Sequence, residues 1–334
     1  MSVSNSKSIT AQDYNSLQSR ISNILGGGSG NFGYGNSVTS SVVDEIIDKT
    51  IPDGDSVLAS QLNNLLDDFN VVYDHQNGSN IPINAFDIGD IIGADESASD
   101  IIYNTDGTFD FVNEDASKGF NDFYSYINEL ENNRFQIAPT QQQIQTLASE
   151  IRTSSWNGTI DCEFTLNFST ADSRRYFFNA GGQIRLQGIV TNVSSQRGTF
   201  WNDLIENPGE IQFGYNYTQN TGSTSGISFP NGIIGNYDLT TSYQTILRKD
   251  ANSGIYSDSY WEIQGRENSS SEIVLRVILR NDGPESDSDA GSPGSISGGI
   301  TESVRADIEF ELSTRRANGS VVVSNPLVTI TDSL

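Results

Sequence analysis

The sequence predicts an α+β chain that is mainly β, with short N-terminal helical repeats followed by an antiparallel, jelly-roll-like β-sandwich. Three observations carry this. Apolar residues recur at helical spacing in the first 150 residues, the apolar period changes to two near Ser155, and Gly, Asn, Ser and Asp punctuate the remainder at turn intervals. The expected domains are a helical region, 1–154, concerned with assembly or attachment, and a β-sandwich, 155–334.

The helical part opens with a short internal repeat. "ITAQDYNSLQSRI" (Ile9 to Ile21) aligns without gaps on "VLASQLNNLLDDF" (Val57 to Phe69), with Ala11 over Ala59. Tyr14, Leu17, Ile21 and Leu25 follow one helical stripe, and Leu62, Leu65, Leu66 and Phe69 follow another. Thr10 and Ser56 stand where a side-chain oxygen can cap free backbone amides. "GGGSGNFGYG" (Gly26 to Gly35) ends the first helix, and a fainter third copy begins at "GDIIGA" (Gly89 to Ala94). A single short helix with one apolar stripe is unstable alone. The stripes Tyr14, Leu17, Ile21 and Leu62, Leu65, Phe69 are therefore the candidate assembly residues, buried against each other or against another chain. Two further helices are expected, over Phe120 to Phe135 and over "TQQQIQTLASEI" (Thr140 to Ile151).

From Ser155 onward, "TIDCEFTLNFS" sets Ile160, Cys162, Phe164, Leu166 and Phe168 against polar neighbours. Val304 to Leu312 alternates likewise. These are half-buried antiparallel strands. "SEIVLRVILR" (Ser271 to Arg280) is apolar on both faces in part and reads as a central strand. Further strands are expected near Ile184–Val190, Ile211–Tyr217, Tyr243–Leu247, Tyr260–Gln264 and Leu327–Ile330.

Composition narrows the function classes. The 43 acidic residues against 18 basic ones leave a formal charge of -25. That surface repels phosphates and anionic lipids, which argues against nucleic acid as a partner. No run approaches a membrane span, and "MSVSNSKSIT" has no apolar core of a secretory signal. Cys162 is the one cysteine, expected as a buried strand thiol. His75 is the one histidine, expected as a solvated turn residue in "HQNG".

No HExxH, CxxC or P-loop pattern occurs. Glycosidase chemistry needs only two positioned carboxylates, and with 43 candidates no pair can be named. Asp282, Glu285, Asp287 and Asp289, in a long polar loop, offer clustered oxygens to calcium but lack EF-hand spacing. An acidic solvated loop is the plainer expectation, with no cofactor. "RRYFFNAGGQIRLQG" (Arg174 to Gly188) could be taken for a phosphate loop, but the stretch after its glycines alternates as a strand. It is expected as a structural hairpin, with Gly181 and Gly182 turning the chain and Tyr176 and Phe178 on one face.

Three segments together resemble virion structural proteins of marine cyanophages with contractile tails: "SITAQDYNSLQSRISNILG…GSGNFGYG", "RTSSWNGTI" and "ADSRRYFFNAGGQIRL". The resemblance implies a non-enzymatic virion component assembled in the host cytoplasm, with no catalytic residues to carry over. Tail, baseplate or fibre association is the leading expectation, with other virion proteins and further copies of the chain (a homo-oligomer, trimer or higher) as partners. The alternatives are a capsid decoration protein, or a carbohydrate-binding or depolymerising module using Trp201, Tyr256, Tyr260 or Trp261 as sugar platforms.

Overall fold

The computed structural model describes residues 11–27, 32–40, 57–86, 100–103, 109–112, 120–251, 258–281, 303–331 and 334. Thr10, Ser56, the segment 89–94, Tyr256 and the four acidic calcium candidates lie outside these residues. The chain forms two compact units. One comprises residues 1–142 with 179–181 and 317–323; the other comprises 143–178, 182–316 and 324–334.

The first unit is built on three helices: α1 (Ala11–Leu25), α2 (Ala59–Asn77) and α3 (Phe120–Asn132). The first two begin at the alanines that the internal alignment superposes. Their apolar stripes meet one another and α3. Tyr14, Leu17, Ile21, Leu62, Leu65 and Phe69 are all buried within the chain, and Phe69 packs edge-on against Phe123 at 5.1 Å. Of the two partners expected for these stripes, each other or another chain, the structure shows the first, so these side chains are closed inside the chain and present no surface to a second. Arg20 on α1 pairs with Glu131 on α3 at 2.6 Å, and Tyr14 Oη donates to the Gln61 carbonyl on α2. Gly78 ends α2 in the left-handed conformation and donates to the Asp74 carbonyl. The same unit carries an antiparallel hairpin of β1 (Asp100–Tyr103) and β2 (Phe109–Val112).

Two segments return to this unit from late in the chain. Asn179 Nδ2 donates to the Gly33 carbonyl at 2.9 Å, and the Asn318 and Ser320 amides donate to the Gln141 carbonyl and side-chain oxygens.

The second unit contains two antiparallel sheets. One has six strands: β13 (Leu327–Thr331), β4 (Gly158–Asn167), β11 (Glu272–Asn281), β10 (Tyr260–Ser269), β9 (Gln244–Asp250) and β8 (Ile227–Ser228), in that spatial order. The other orders β3 (Gln142–Arg152), β12 (Asp307–Ala317), β5 (Gln183–Thr191), β6 (Ile211–Phe213) and β7 (Thr218–Asn220). The alternation read from the sequence has its expected consequence on β4, where Cys162, Phe164 and Leu166 are buried and Asp161, Glu163 and Thr165 lie on the other face. β11 is an internal strand, as its two apolar faces require. Trp261 on β10 and Phe310 on β12 bring the buried faces of the sheets together, 5.7 Å between ring centroids.

Helix α5 (Gln196–Glu206), not expected from the sequence, covers β5. Its Ser195 cap accepts from the Gly198 amide at 2.9 Å, and Gly188 on β5 leaves room for Ile205. Trp201 on α5 is fully buried, and the Leu204 carbonyl accepts from Trp261 Nε1 at 2.9 Å.

Two element assignments are corrected. Residues 142–152 form strand β3, not a helix. Ile144, Leu147, Ala148 and Ile151 do fall on one helical stripe, but β12 would present an unpaired row of backbone groups without this strand, and pairing outweighs local propensity. The cost is visible in Ile144 and Ile151, about half exposed at 54% and 49%. The expected division at Ser155 thus falls after this strand, whereas the two units part at residue 142. The second correction is that Ala171–Asn179 forms helix α4, so the double glycine joins a helix to a strand and is no hairpin turn.

Candidate functional site

The residues of the expected hairpin are held by helix capping and by one buried arginine. Thr170 Oγ1 accepts from the Ser173 amide at 3.0 Å, and Asp172 lies in the first turn, where negative charge suits the free amides. Helical spacing then puts Arg174, Phe177 and Phe178 inward and leaves Tyr176 half-exposed, where period two would have paired Tyr176 with Phe178. Arg174 Nε donates to Asn236 Oδ1 at 2.8 Å, and Nη1 donates to Glu267 at 2.7 Å and to the Ser269 carbonyl at 3.1 Å. Gly181 has φ +76, and a side chain at Gly182 would fall on the Phe177 carbonyl and ring. A signal for this helix stood in the sequence: "STADS" is a capping pattern.

The lone cysteine and the lone histidine are both buried. Cys162 is fully buried on β4, and burial raises its thiol pKa, with Glu150, Asp161 and Glu163 adding to the effect. His75 is not a solvated loop residue. It sits in the last turn of α2 and is fully buried, the chain leaving the helix three residues later at Gly78. Burial lowers its pKa to about 4, opposed by the Ala180 backbone and the Asp74 charge. Neither ring nitrogen has a hydrogen bond of ordinary geometry. Of the sugar-platform candidates, Trp201 and Trp261 are core residues, and Tyr260 is half-exposed. Among the described residues no three His, Cys, Asp or Glu side chains converge to hold a metal ion, and no helix is long and apolar enough to cross a membrane.

Rings, guanidinium groups and carboxylates instead converge on the outward face of the six-stranded sheet. Register sets Arg276 on β11 between Glu163 on β4 and Gln264 on β10, and sets Arg280 opposite Tyr260. Arg276 Nε donates to Asp161 at 2.6 Å and lies 3.8 Å from Glu163. Tyr243 Oη donates to Glu163 at 2.6 Å, and Arg266 and Arg276 stand 4.9 and 5.8 Å from the Tyr243 ring centre. Arg248 lies over the Tyr260 ring at 3.6 Å, with Arg280 at 5.9 Å. Burial and the Glu163 contact both raise the Tyr243 pKa, so its phenol stays protonated. Such a face combines donors, acceptors and ring surfaces suited to a polar partner. Its residues were missed from the sequence because Asp161 and Glu163 on β4 lie some 80 or more positions from Tyr243 and the strands that follow it, and only register makes them neighbours.

Comparison with models of protein families, with curated proteins and with solved structures found no match to this chain.

Proposed function

We propose that this chain is a non-enzymatic structural protein of a contractile-tailed phage particle, associated with the tail, baseplate or fibres, with the two sheets read as a jelly-roll-like β-sandwich. The observation that carries the reading is where the resembling segments lie in the fold. Within the segments that carry the resemblance, Trp156, Phe177, Phe178, Ala180, Gly181 and Gly182 are all buried, which supports reading those positions as parts of a scaffold. A resemblance resting on packing residues speaks for architecture and carries no reaction with it. Oligomeric assembly remains part of the proposal, with its surface now sought outside the buried helix stripes. Quantitative mass spectrometry of gradient-purified particles tests it: the chain should be present in a copy number set by particle symmetry, and its absence from particles overturns the reading.

A host-glycan recognition role is the second reading, favoured by Tyr243, Tyr260 and their arginines on the outward sheet face. A glycan array with the whole chain tests it. Binding that survives Tyr243→Ala with Tyr260→Ala would remove this face from consideration.

A further inference from the structure

The tripeptide Trp156-Asn157-Gly158 contains an Asn-Gly bond in an unusual setting. Asn157 is exposed, yet its side-chain oxygen faces inward and accepts three hydrogen bonds. The Gly158 amide donates to Oδ1 at 3.0 Å, Asn281 Nδ2 at 2.6 Å and Arg197 Nη1 at 3.3 Å. The last two donors are rigid. Arg197, near the start of α5, is 2% exposed, and Asn281, at the end of β11, is 4% exposed and accepts from Trp201 Nε1. Gly158 has φ +82, nothing lies within 4 Å of where a Cβ would stand, and its amide nitrogen already faces the Asn157 side chain at 3.0 Å from Oδ1.

These parts match the needs of intramolecular amide attack. Closure of a five-membered ring requires the Gly158 nitrogen to reach Asn157 Cγ, and negative charge then develops on Oδ1. Donors fixed at that oxygen stabilise the charge before it forms. We propose that Asn157 is a self-modification site at which the folded protein promotes its own deamidation. The Gly158 nitrogen, its proton lost to solvent, forms a bond to Cγ. The Cγ–Nδ2 bond breaks and ammonia leaves with a proton from water, giving a succinimide. Water then opens the ring to aspartate or isoaspartate. The aspartate product places a carboxylate beside the buried Arg197 guanidinium, a favourable exchange for an amide. The isoaspartate product adds a backbone methylene just before Gly158, which pairs with Asn281 in the β4–β11 ladder.

The fold offers an internal comparison. Asn231-Gly232 is also exposed, with Gly232 at φ +79 and open space around it, and no hydrogen bond to the Asn231 side chain is seen. Whole protein is held at mildly alkaline pH in heavy-oxygen water, natively and in urea, and the label at each asparagine is located by peptide mass spectrometry. The Asn157 rate in the folded chain should exceed that in the unfolded chain by about tenfold, a fraction of what a fully buried oxyanion donor supplies, while Asn231 shows no such gain. Asn281→Asp, which replaces a donor with an acceptor, should bring the Asn157 rate down towards the unfolded value in protein that melts cooperatively. Equal or slower conversion of Asn157 on folding overturns the proposal, and so does a folded Asn281→Asp variant that reacts as fast as wild type.

Discussion

The rings of Tyr34 and His75 meet edge to face, 4.9 Å between centroids, inside the helical unit. Gln76 Nε2 donates to Tyr34 Oη at 2.9 Å and to the Leu130 carbonyl at 3.0 Å, and Tyr34 Oη donates to the Arg134 carbonyl at 2.6 Å. The histidine is thus enclosed by a cluster whose hydrogen bonds bypass its ring, and burial outweighs the Ala180 backbone and the Asp74 charge that would favour a second proton.

An acid sensitivity follows. The folded pKa of His75, about 4, lies below the unfolded value of 6.5, so the unfolded chain binds the extra proton first. The stability it contributes is fully present above pH 6.5 and is lost as pH falls towards 4. Between pH 7 and pH 5 the loss should be about 2 kcal/mol. Chemical denaturation of the whole chain at several pH values, for wild type and His75→Phe, checks this. A pH dependence in that interval that is identical in both proteins would refute the assignment.

Valine at either glycine of the helix-to-strand junction should destabilise the protein by roughly 1–3 kcal/mol, for different reasons at the two positions. Gly181 is held at φ +76, and a Cβ there would also meet the Phe135 carbonyl at 2.9 Å. Gly182 lacks a positive φ but would press on the Phe177 ring at 2.7 Å. Thermal melts of the two variants read the effect, and added nucleotide should leave the wild-type melt unmoved. A nucleotide-dependent rise would return the phosphate-loop reading.

Leu17→Asp and Leu65→Asp should each unfold the helical unit, at a cost of about 3–5 kcal/mol for a charge buried without a partner. Loss of helical circular dichroism in the isolated protein would show it. Stable, helical variants that fail only to associate would restore these residues as an assembly surface.

A fragment beginning at Ser155 removes β3 and leaves the β12 edge bare over eleven residues. It should aggregate, or melt well below a fragment that begins at Ala138 and keeps the strand. Size-exclusion chromatography and melting curves of the two fragments decide the point, and equal behaviour would mean that β3 is dispensable.

The sequence alone determined the parts whose apolar period has a single explanation. The stripes of α1, α2 and α3 and the strict alternation of β4 bury one face each, so local pattern and global fold agree there, and Cys162 could be placed inside from its neighbours. Tertiary structure decided the rest, where one pattern served two conformations. Residues 142–152 satisfy a helical stripe, yet they became a strand because the backbone of β12 needed a partner. Residues 171–179 carry aromatics that suit a strand, yet a Thr170 cap and the buried Arg174 network favoured a helix. His75 looked polar and local, but the packing of Tyr34, Gln76 and α3 enclosed it. The face bearing Tyr243, Arg276 and Glu163 and the cluster around Asn157 could not be read from spacing, since strand register and helix docking join residues up to 124 positions apart.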